Sequence, residues 1–203
     1  MQTQPRITNC LLAILLCIST HISHATSPTK PTLPINTTLP IDRVLSVVTA
    51  DWNADGLADR AILLAGEEDN ADFYLFEGND DSESAAKTLI AARPALVWMG
   101  SMWGTKPELK IGPKNALQII SQNESIGRDR WNETLTVIRR NGVYVVAGYT
   151  YNSRDTLDPD AYSTCDVNYL NGKALVNGKS VKHRLPLQTL QAWQGNLPKI
   201  CAK

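Results

Sequence analysis

The chain alternates between short apolar runs, rich in valine, isoleucine and leucine, and clusters of polar turn residues. Apolar runs of this length that carry β-branched and aromatic residues are typical of β-strands. One further run, residues 87–92, fits either a strand or a helix, because short apolar runs are ambiguous in period. The pattern predicts strands at residues 43–50, 60–65, 73–77, 95–99 and 116–121.

The clearest hairpin lies within residues 131–150, where two alternating runs meet at the Asn-Gly pair 141–142. Asn-Gly favours a type I′ turn, because both central residues of that turn need positive φ. The same pair recurs at 171–172 and 177–178. We therefore predict a mainly β fold, an antiparallel meander that is sandwich-like and forms a single domain. Residues 187–193 predict one short C-terminal helix.

The N-terminus has the three parts of a secretory signal peptide, residues 1–25. Arg6 supplies the positive charge, residues 10–18 form an apolar run, and small residues precede a cut after Ala25. Nine apolar residues are too few for a membrane span, which takes about 20. A leader rich in proline and threonine, residues 26–40, then precedes a β domain at 41–203. We expect a periplasmic or secreted protein with no membrane span.

Charge is balanced along the chain, with 20 lysines and arginines against 20 aspartates and glutamates. A nucleic-acid-binding protein normally carries a basic face, so this composition argues against nucleic acid as a partner. It argues equally against binding to an anionic membrane surface. The partner is expected to be a protein or a carbohydrate of unknown identity.

Four cysteines divide into two pairs by position. Cys10 and Cys17 leave with the signal peptide, so Cys165 and Cys201 remain. Two cysteines in an exported chain most often form a disulfide, and two free thiols are the alternative. A Cys165–Cys201 bridge would stabilise the fold by about 3–4 kcal/mol in the chain-entropy model.

One stretch, residues 51–59, carries candidate metal chemistry and is named the acidic loop below. Asp51, Asn53, Asp55 and Asp59 place oxygen-bearing side chains at positions one, three, five and nine. A glycine at position six supplies a sharp turn, and Leu57 would contribute its backbone carbonyl. Calcium needs about six to eight oxygen ligands, so the spacing predicts calcium as the cofactor. The alternative is a metal-free turn, because Asn, Asp and Gly favour turns in any case.

The acidic loop resembles the calcium loop of the FG-GAP and VCBS repeat family, in which Asp-x-Asp/Asn-x-Asp-Gly-x-x-Asp precedes an apolar strand. That resemblance implies that the loop joins two β-strands and that the ligands are those at positions one, three, five, seven and nine. An EF-hand is excluded, because position twelve is Ile62 instead of glutamate. Family members carry several copies, whereas this chain has one, so the loop chemistry transfers better than the fold.

A second candidate site is a stretch in which Trp98 and Trp103 alternate with methionine and glycine. Exposed, the two rings would form a platform that stacks on a sugar or contacts a protein. The alternative is a core strand that ends in a tight bend.

Catalytic motifs are missing from the sequence. His183 is the one histidine outside the signal peptide, which excludes a two-histidine zinc site, and its polar surroundings argue against a catalytic triad. The leading hypothesis is an exported, non-enzymatic binding or interaction module in which calcium is mainly structural. The alternatives are a carboxylate-dependent hydrolase of cell-wall or carbohydrate substrates and an inhibitor of an exported enzyme.

Overall fold

The computed structural model describes residues 40–79 and 88–202. The predicted signal peptide and all of the predicted leader except Pro40 lie outside this range. Within it, no helix is long and apolar enough to cross a membrane.

The first sheet is a four-stranded antiparallel meander. Its strands are β1 (Val44–Ala50), β2 (Asp59–Ala65), β3 (Asn70–Glu77) and β4 (Thr88–Trp98), and each pairs with the next along the chain. Residues 61–64 of β2 are buried on both faces of the strand. Double-sided burial explains why this strand reads as a continuous apolar run instead of an alternating one.

The second sheet is a seven-stranded antiparallel meander with the spatial order of the sequence. Short 3₁₀ turns at Ile41–Arg43 and Pro113–Asn115 precede β1 and β6 respectively. The seven strands are β5 (Glu108–Ile111), β6 (Leu117–Asn123), β7 (Asp129–Arg140), β8 (Val143–Asp155), β9 (Tyr162–Asn168), β10 (Lys173–Val176) and β11 (Lys179–Lys182).

Two of the three Asn-Gly pairs form the predicted turn geometry. Asn141 and Gly142 have φ of 50° and 80°, and Asn177 and Gly178 have 47° and 76°. Positive φ at both central residues is the requirement of a type I′ turn. The third pair differs, because only Gly172 of that pair has positive φ, and the connection between β9 and β10 is longer.

Both sheets contribute to one hydrophobic core, which confirms the mainly β, sandwich-like meander. The inward faces of the strands alternate with more exposed positions, as on β6, where Leu117 and Ile119 are fully buried. Apolar side chains on the paired faces of two sheets bury each other and so hold the sheets together. Fully buried core residues from the two sheets include Leu63, Phe73, Leu75, Val137, Val146 and Val167.

The predicted C-terminal helix is wrong. Residues 187–193 contain a turn and an isolated bridge between Thr189 and Val145 of β8. Backbone hydrogen bonds to β8 take the place of helical ones: Val146 N donates to Gln188 O at 2.9 Å, and Leu190 N donates to Tyr144 O at 2.9 Å. Pairing with a neighbouring strand therefore overrides the local helical spacing.

The predicted disulfide is confirmed. Cys165 on β9 and Cys201 near the C-terminus are bonded, and both are buried. The bridge closes a loop across 36 positions of the chain and fixes the end of the C-terminal segment, which we define as residues 183–202.

Candidate functional site

The acidic loop connects β1 to β2, so it lies between two β-strands as the resemblance implies. Its turn is made by Ala54, with φ of 60°, and Gly56, with φ of 86°. Left-handed backbone is readily adopted by glycine and strained for alanine. The sharp turn expected at position six is therefore present.

Side-chain oxygens of the loop converge on the backbone amides of the same loop. Asp55 N donates to Asn53 Oδ1 at 3.0 Å and to Asp51 Oδ1 at 3.2 Å, so these two oxygens share one donor. Gly56 N donates to Asp51 Oδ2 at 2.9 Å, and Leu57 N donates to Asp55 Oδ1 at 2.8 Å. The first three predicted ligands thus lie around one turn of backbone.

The oxygens of these side chains keep unused acceptor capacity. A carboxylate oxygen has two lone pairs, and each backbone N–H engages one of them. Asn53 turns its amide group so that Nδ2 donates to Asp55 Oδ2 at 2.7 Å while Oδ1 faces the turn. Asp51 and Asp55 carry two negative charges in a short, largely exposed segment, and these charges favour a bound cation.

Asp59 occupies a different environment from the other three side chains. It is fully buried, its Oδ2 accepts from Trp52 N at 2.9 Å, and its Oδ1 accepts from Gly78 N at 2.9 Å. These bonds link both ends of the loop to the end of β3. A Cβ at Gly78 would lie 2.7 Å from Leu57 Cβ, so this close approach requires glycine.

The loop also contacts the second sheet. Asn115 Nδ2, in the turn between β5 and β6, donates to Asp51 O at 2.6 Å. This bond joins residues 64 positions apart and places the loop at the junction of the two sheets. A change in the loop is therefore positioned to affect both sheets.

The oxygen donors of the acidic loop are of the kind that calcium binds. Among residues 40–79 and 88–202, no group of three or more histidine, cysteine, aspartate or glutamate side chains is arranged to hold a metal ion. The loop offers two carboxylates, Asp51 and Asp55, together with the Asn53 amide oxygen. Oxygen donors of this kind suit a hard cation, which also accepts carbonyl and amide ligands. The role of Asp59 as a ligand remains a prediction.

The two predicted platform tryptophans lie in different surroundings. Trp98 is half-buried at the end of β4 and packs against Trp131 with ring centroids 5.4 Å apart. Trp131 in turn stacks on Tyr151 at 6.5 Å. Trp103 lies on the loop after β4 and is 91% exposed. The half-buried aromatic cluster therefore joins Trp98 to strands β7 and β8, while Trp103 projects into solvent.

Glu133 on β7, to which no sequence motif points, has a pKa raised above its ordinary value. Burial raises the pKa of Glu133, and the hydrogen bond from Tyr149 Oη to Glu133 Oε2, at 2.6 Å, acts in the opposite direction. Burial and the neighbouring Glu133 also raise the pKa of Tyr149. The signal that could have found Glu133 is its place on an inward-facing position of the 131–150 hairpin.

A cavity of about 260 Å³ lies beside the C-terminal segment, and we refer to it as the C-terminal cavity. Its lining includes aromatic, amide and apolar side chains and a single charged one, Lys199. No sequence pattern pointed to this cavity, because its walls come from β9–β10 and from a segment predicted to be helical. The lining residues are Tyr169, Leu185, Gln188, Trp193, Gln194, Asn196, Leu197, Pro198 and Lys199.

The imidazole ring of His183 makes structural contacts. Its Nε2 lies 3.2 Å from Asn168 O, and its Nδ1 accepts from Leu185 N at 3.2 Å. The ring meets Tyr169 edge-on with centroids 5.9 Å apart. Both ring nitrogens are thus used to hold the start of the C-terminal segment.

Comparison with known proteins adds no relative: no protein-family model, no curated protein and no solved structure matches the chain. Function is therefore inferred from the geometry of the acidic loop and the C-terminal cavity.

Proposed function

We propose that this protein is an exported calcium-binding β domain that acts as a non-enzymatic binding or interaction module. The acidic loop binds one calcium ion through Asp51, Asn53, Asp55 and the carbonyl of Leu57, with Asp59 as the predicted closing ligand. The single observation that carries the proposal is the convergence of the Asp51 and Asn53 side-chain oxygens on the Asp55 amide. The resemblance of the acidic loop to the calcium loop of the FG-GAP and VCBS family supports the same assignment.

The role of calcium is mainly structural in this proposal. The loop lies at the junction of the two sheets. Asp59 is hydrogen-bonded to the end of β3, and Asn115 is hydrogen-bonded to Asp51. A cation at this point would offset the repulsion between Asp51 and Asp55 and fix the loop between the sheets. Calcium bound only to the folded state stabilises that state by mass action.

Export is supported by two observations. The sequence has the three parts of a signal peptide. The Cys165–Cys201 disulfide is of the kind that persists in oxidising compartments. Both observations favour a periplasmic or secreted location.

A binding role is supported by the chemistry of the cavity. The lining of the C-terminal cavity includes no carboxylate, whereas glycoside hydrolysis normally uses two. Glu133, a half-buried acid, accepts a hydrogen bond from Tyr149 on the neighbouring strand. These features favour ligand binding over carboxylate catalysis.

Thermal unfolding with calcium or with a chelator tests the proposal. At about a hundredfold excess of calcium over its dissociation constant, we expect the melting temperature to rise by about 5–10 °C. Asp55→Asn keeps an acceptor oxygen for Leu57 N but removes the charge, so the rise should shrink strongly.

The matched control is Asp160→Asn, which removes an exposed carboxylate from the turn between β8 and β9. This variant should keep the full calcium response. Equal melting of the wild-type protein with calcium and with chelator would reject the calcium site.

A further inference from the structure

Three connections between strands lie together at one end of the sandwich. They join β4 to β5 (residues 99–107), β6 to β7 (residues 124–128) and β8 to β9 (residues 156–161), and we call them the end loops. The acidic loop is hydrogen-bonded to Asn115, in the turn that follows β5, whereas the first end loop precedes β5. The end loops therefore lie at the end of the molecule opposite the acidic loop.

Hydrogen bonds join the end loops to each other. Ser125 Oγ, in the second loop, donates to Trp103 O in the first. Thr156 N, in the third loop, donates to Arg128 O in the second at 3.0 Å. The three loops thus form one continuous, positioned surface.

Large apolar side chains are concentrated on this surface. Within the described part of the chain, six large hydrophobic residues are more than half exposed, and four of the six lie on the end loops or at the first residue of β9. Single exposed apolar side chains are ordinary on a protein surface, but a group of them on adjoining loops indicates an interaction site. The four residues are Met102, Trp103, Leu157 and Tyr162.

Two ion pairs neutralise most of the basic charge beside these side chains. Arg128 Nε donates to Asp155 Oδ2 at 2.7 Å, and Arg154 Nη1 donates to Glu124 Oε1 at 3.2 Å. Each guanidinium thus already has a carboxylate partner within the protein. The end loops therefore lack the free basic cluster that would attract an anionic lipid surface.

The exposed charges outside these two pairs are mainly negative. Asp129, Asp158 and Asp160 have no ion-pair partner within 4 Å among residues 40–79 and 88–202, and neither has Lys106. Three carboxylates against one ammonium group would be repelled by anionic lipid. A zwitterionic headgroup has no net charge, and its ammonium group can approach these carboxylates.

We infer that the end loops bind the surface of a zwitterionic lipid bilayer, with Trp103 and Leu157 inserted at the boundary between headgroups and acyl chains. Tryptophan suits this boundary, because its ring is apolar and its Nε1–H can bond to headgroups or water. Trp103 is 91% exposed and Leu157 is 75% exposed, so both project from the loops instead of lining a groove. A fluid bilayer can surround such side chains, whereas a protein would need pockets that match them.

This inference rests on the proposed role as an interaction module and names its partner, but it does not depend on calcium. Flotation with phosphatidylcholine vesicles tests it. We expect the bound fraction to rise with lipid concentration and to fall when phosphatidylglycerol replaces part of the phosphatidylcholine. Trp103→Ser should weaken binding about tenfold and Leu157→Ser about three- to tenfold, because each removes apolar surface that the bilayer would bury.

Matched variants separate lipid binding from a change in the fold. Trp103→Phe keeps an apolar ring and should bind within about threefold of the wild type. Ile111→Ser removes a half-exposed apolar side chain at the opposite end of β5 and should bind like the wild type. All variants carry the same N-terminus, so the apolar run of residues 10–18 cannot explain a difference between them.

Tryptophan fluorescence shows whether the inserted residue is Trp103. Trp103 is the most exposed of the five tryptophans in the chain, since Trp52 and Trp193 are buried and Trp98 and Trp131 are half-buried. Acrylamide quenching should therefore decrease when vesicles are added to the wild-type protein. The same addition should leave the quenching of Trp103→Phe nearly unchanged.

Several outcomes would overturn the inference. These are no flotation of the wild-type protein across the lipid titration, equal flotation of wild type and Trp103→Ser, and flotation only when phosphatidylglycerol is present. A wild-type dimer that Trp103→Ser dissociates, measured by sedimentation without lipid, would assign the end loops to a second copy of the chain. Failure of flotation with an intact calcium response of the melting temperature would overturn this inference alone.

Discussion

The acidic loop and the C-terminal segment are both irregular, but different contacts hold them. Within the loop, the bonds from Asp51, Asn53 and Asp55 join residues two to five positions apart. The C-terminal segment is held by Arg93, which lies 97 to 100 positions away, and by the disulfide from Cys165. The turn at residues 51–57 is organised mainly by its own side chains, and the C-terminal segment by distant parts of the fold.

This difference determines how each region should respond to change. Local Asx-type bonds are formed by a short peptide segment and contribute modestly to the stability of the whole domain. Distant bonds to Arg93 exist only when both sheets are assembled. Damage to the loop should therefore affect metal binding first, whereas damage at Arg93 should affect the fold and the cavity together.

We expect the largest effect from Arg93→Met. Methionine replaces the apolar stem of the arginine but cannot make its three hydrogen bonds. Leu190 O, Gln191 O and Trp193 O would lose their charged donor, so we expect a loss of about 2–3 kcal/mol in the free energy of unfolding. Urea unfolding measures this loss. Amide hydrogen exchange should accelerate first in the C-terminal segment.

Arg140→Met is the matched control for this prediction. Arg140 is exposed at the end of β7, so its replacement should change the free energy of unfolding by less than about 0.5 kcal/mol. Equal losses in the two variants would contradict the view that Arg93 organises the C-terminal segment.

A smaller effect is expected for the pair formed by Glu133 and Tyr149, which lie 16 positions apart in neighbouring strands. Because burial raises the pKa of Glu133, the folded state binds its proton more tightly than the unfolded state does. The free energy of unfolding therefore falls as pH rises from about 4.3 through the raised folded-state pKa. Glu133→Gln should remove this fall, a gain of about 1 kcal/mol at neutral pH.

Urea titrations between pH 4 and pH 8 measure the prediction for Glu133. Glu67→Gln, in the exposed turn between β2 and β3, is the control for the loss of a carboxylate outside the Glu133–Tyr149 pair. A parallel pH dependence in wild type and Glu133→Gln would show that this carboxyl titrates alike in both states.

The sequence predicted those parts of the fold that local patterns encode. Strand β2 appeared as an apolar run, and the Asn141-Gly142 pair specified the hairpin of β7 and β8. Residues 187–193 were mistaken for a helix because their spacing is helical, while their backbone partners lie on β8. The four-residue strand β5 (Glu108–Ile111) is too short to show a period.

The residues of the candidate sites also fall into two groups: those that local sequence predicts and those that it does not. Asp51, Asn53 and Asp55 could be placed from their spacing, because one turn of backbone brings them together. The burial of Asp59 could not be predicted from the sequence, because it depends on Gly78 at the end of β3. The C-terminal cavity was equally invisible, because Tyr169 and Trp193 meet only through the packing of the segment on β8 and β9.

The calcium site of the acidic loop is tested by isothermal titration of the purified protein with calcium chloride. We expect one saturable binding event per chain, lost when Asp51→Asn and Asp55→Asn are combined. Each substitution keeps one acceptor oxygen for a backbone amide of the turn and gives up the hydrogen bond of the other oxygen, while two charges disappear. No saturable binding by the wild-type protein, or the same binding by the double variant, would contradict a calcium site in the acidic loop.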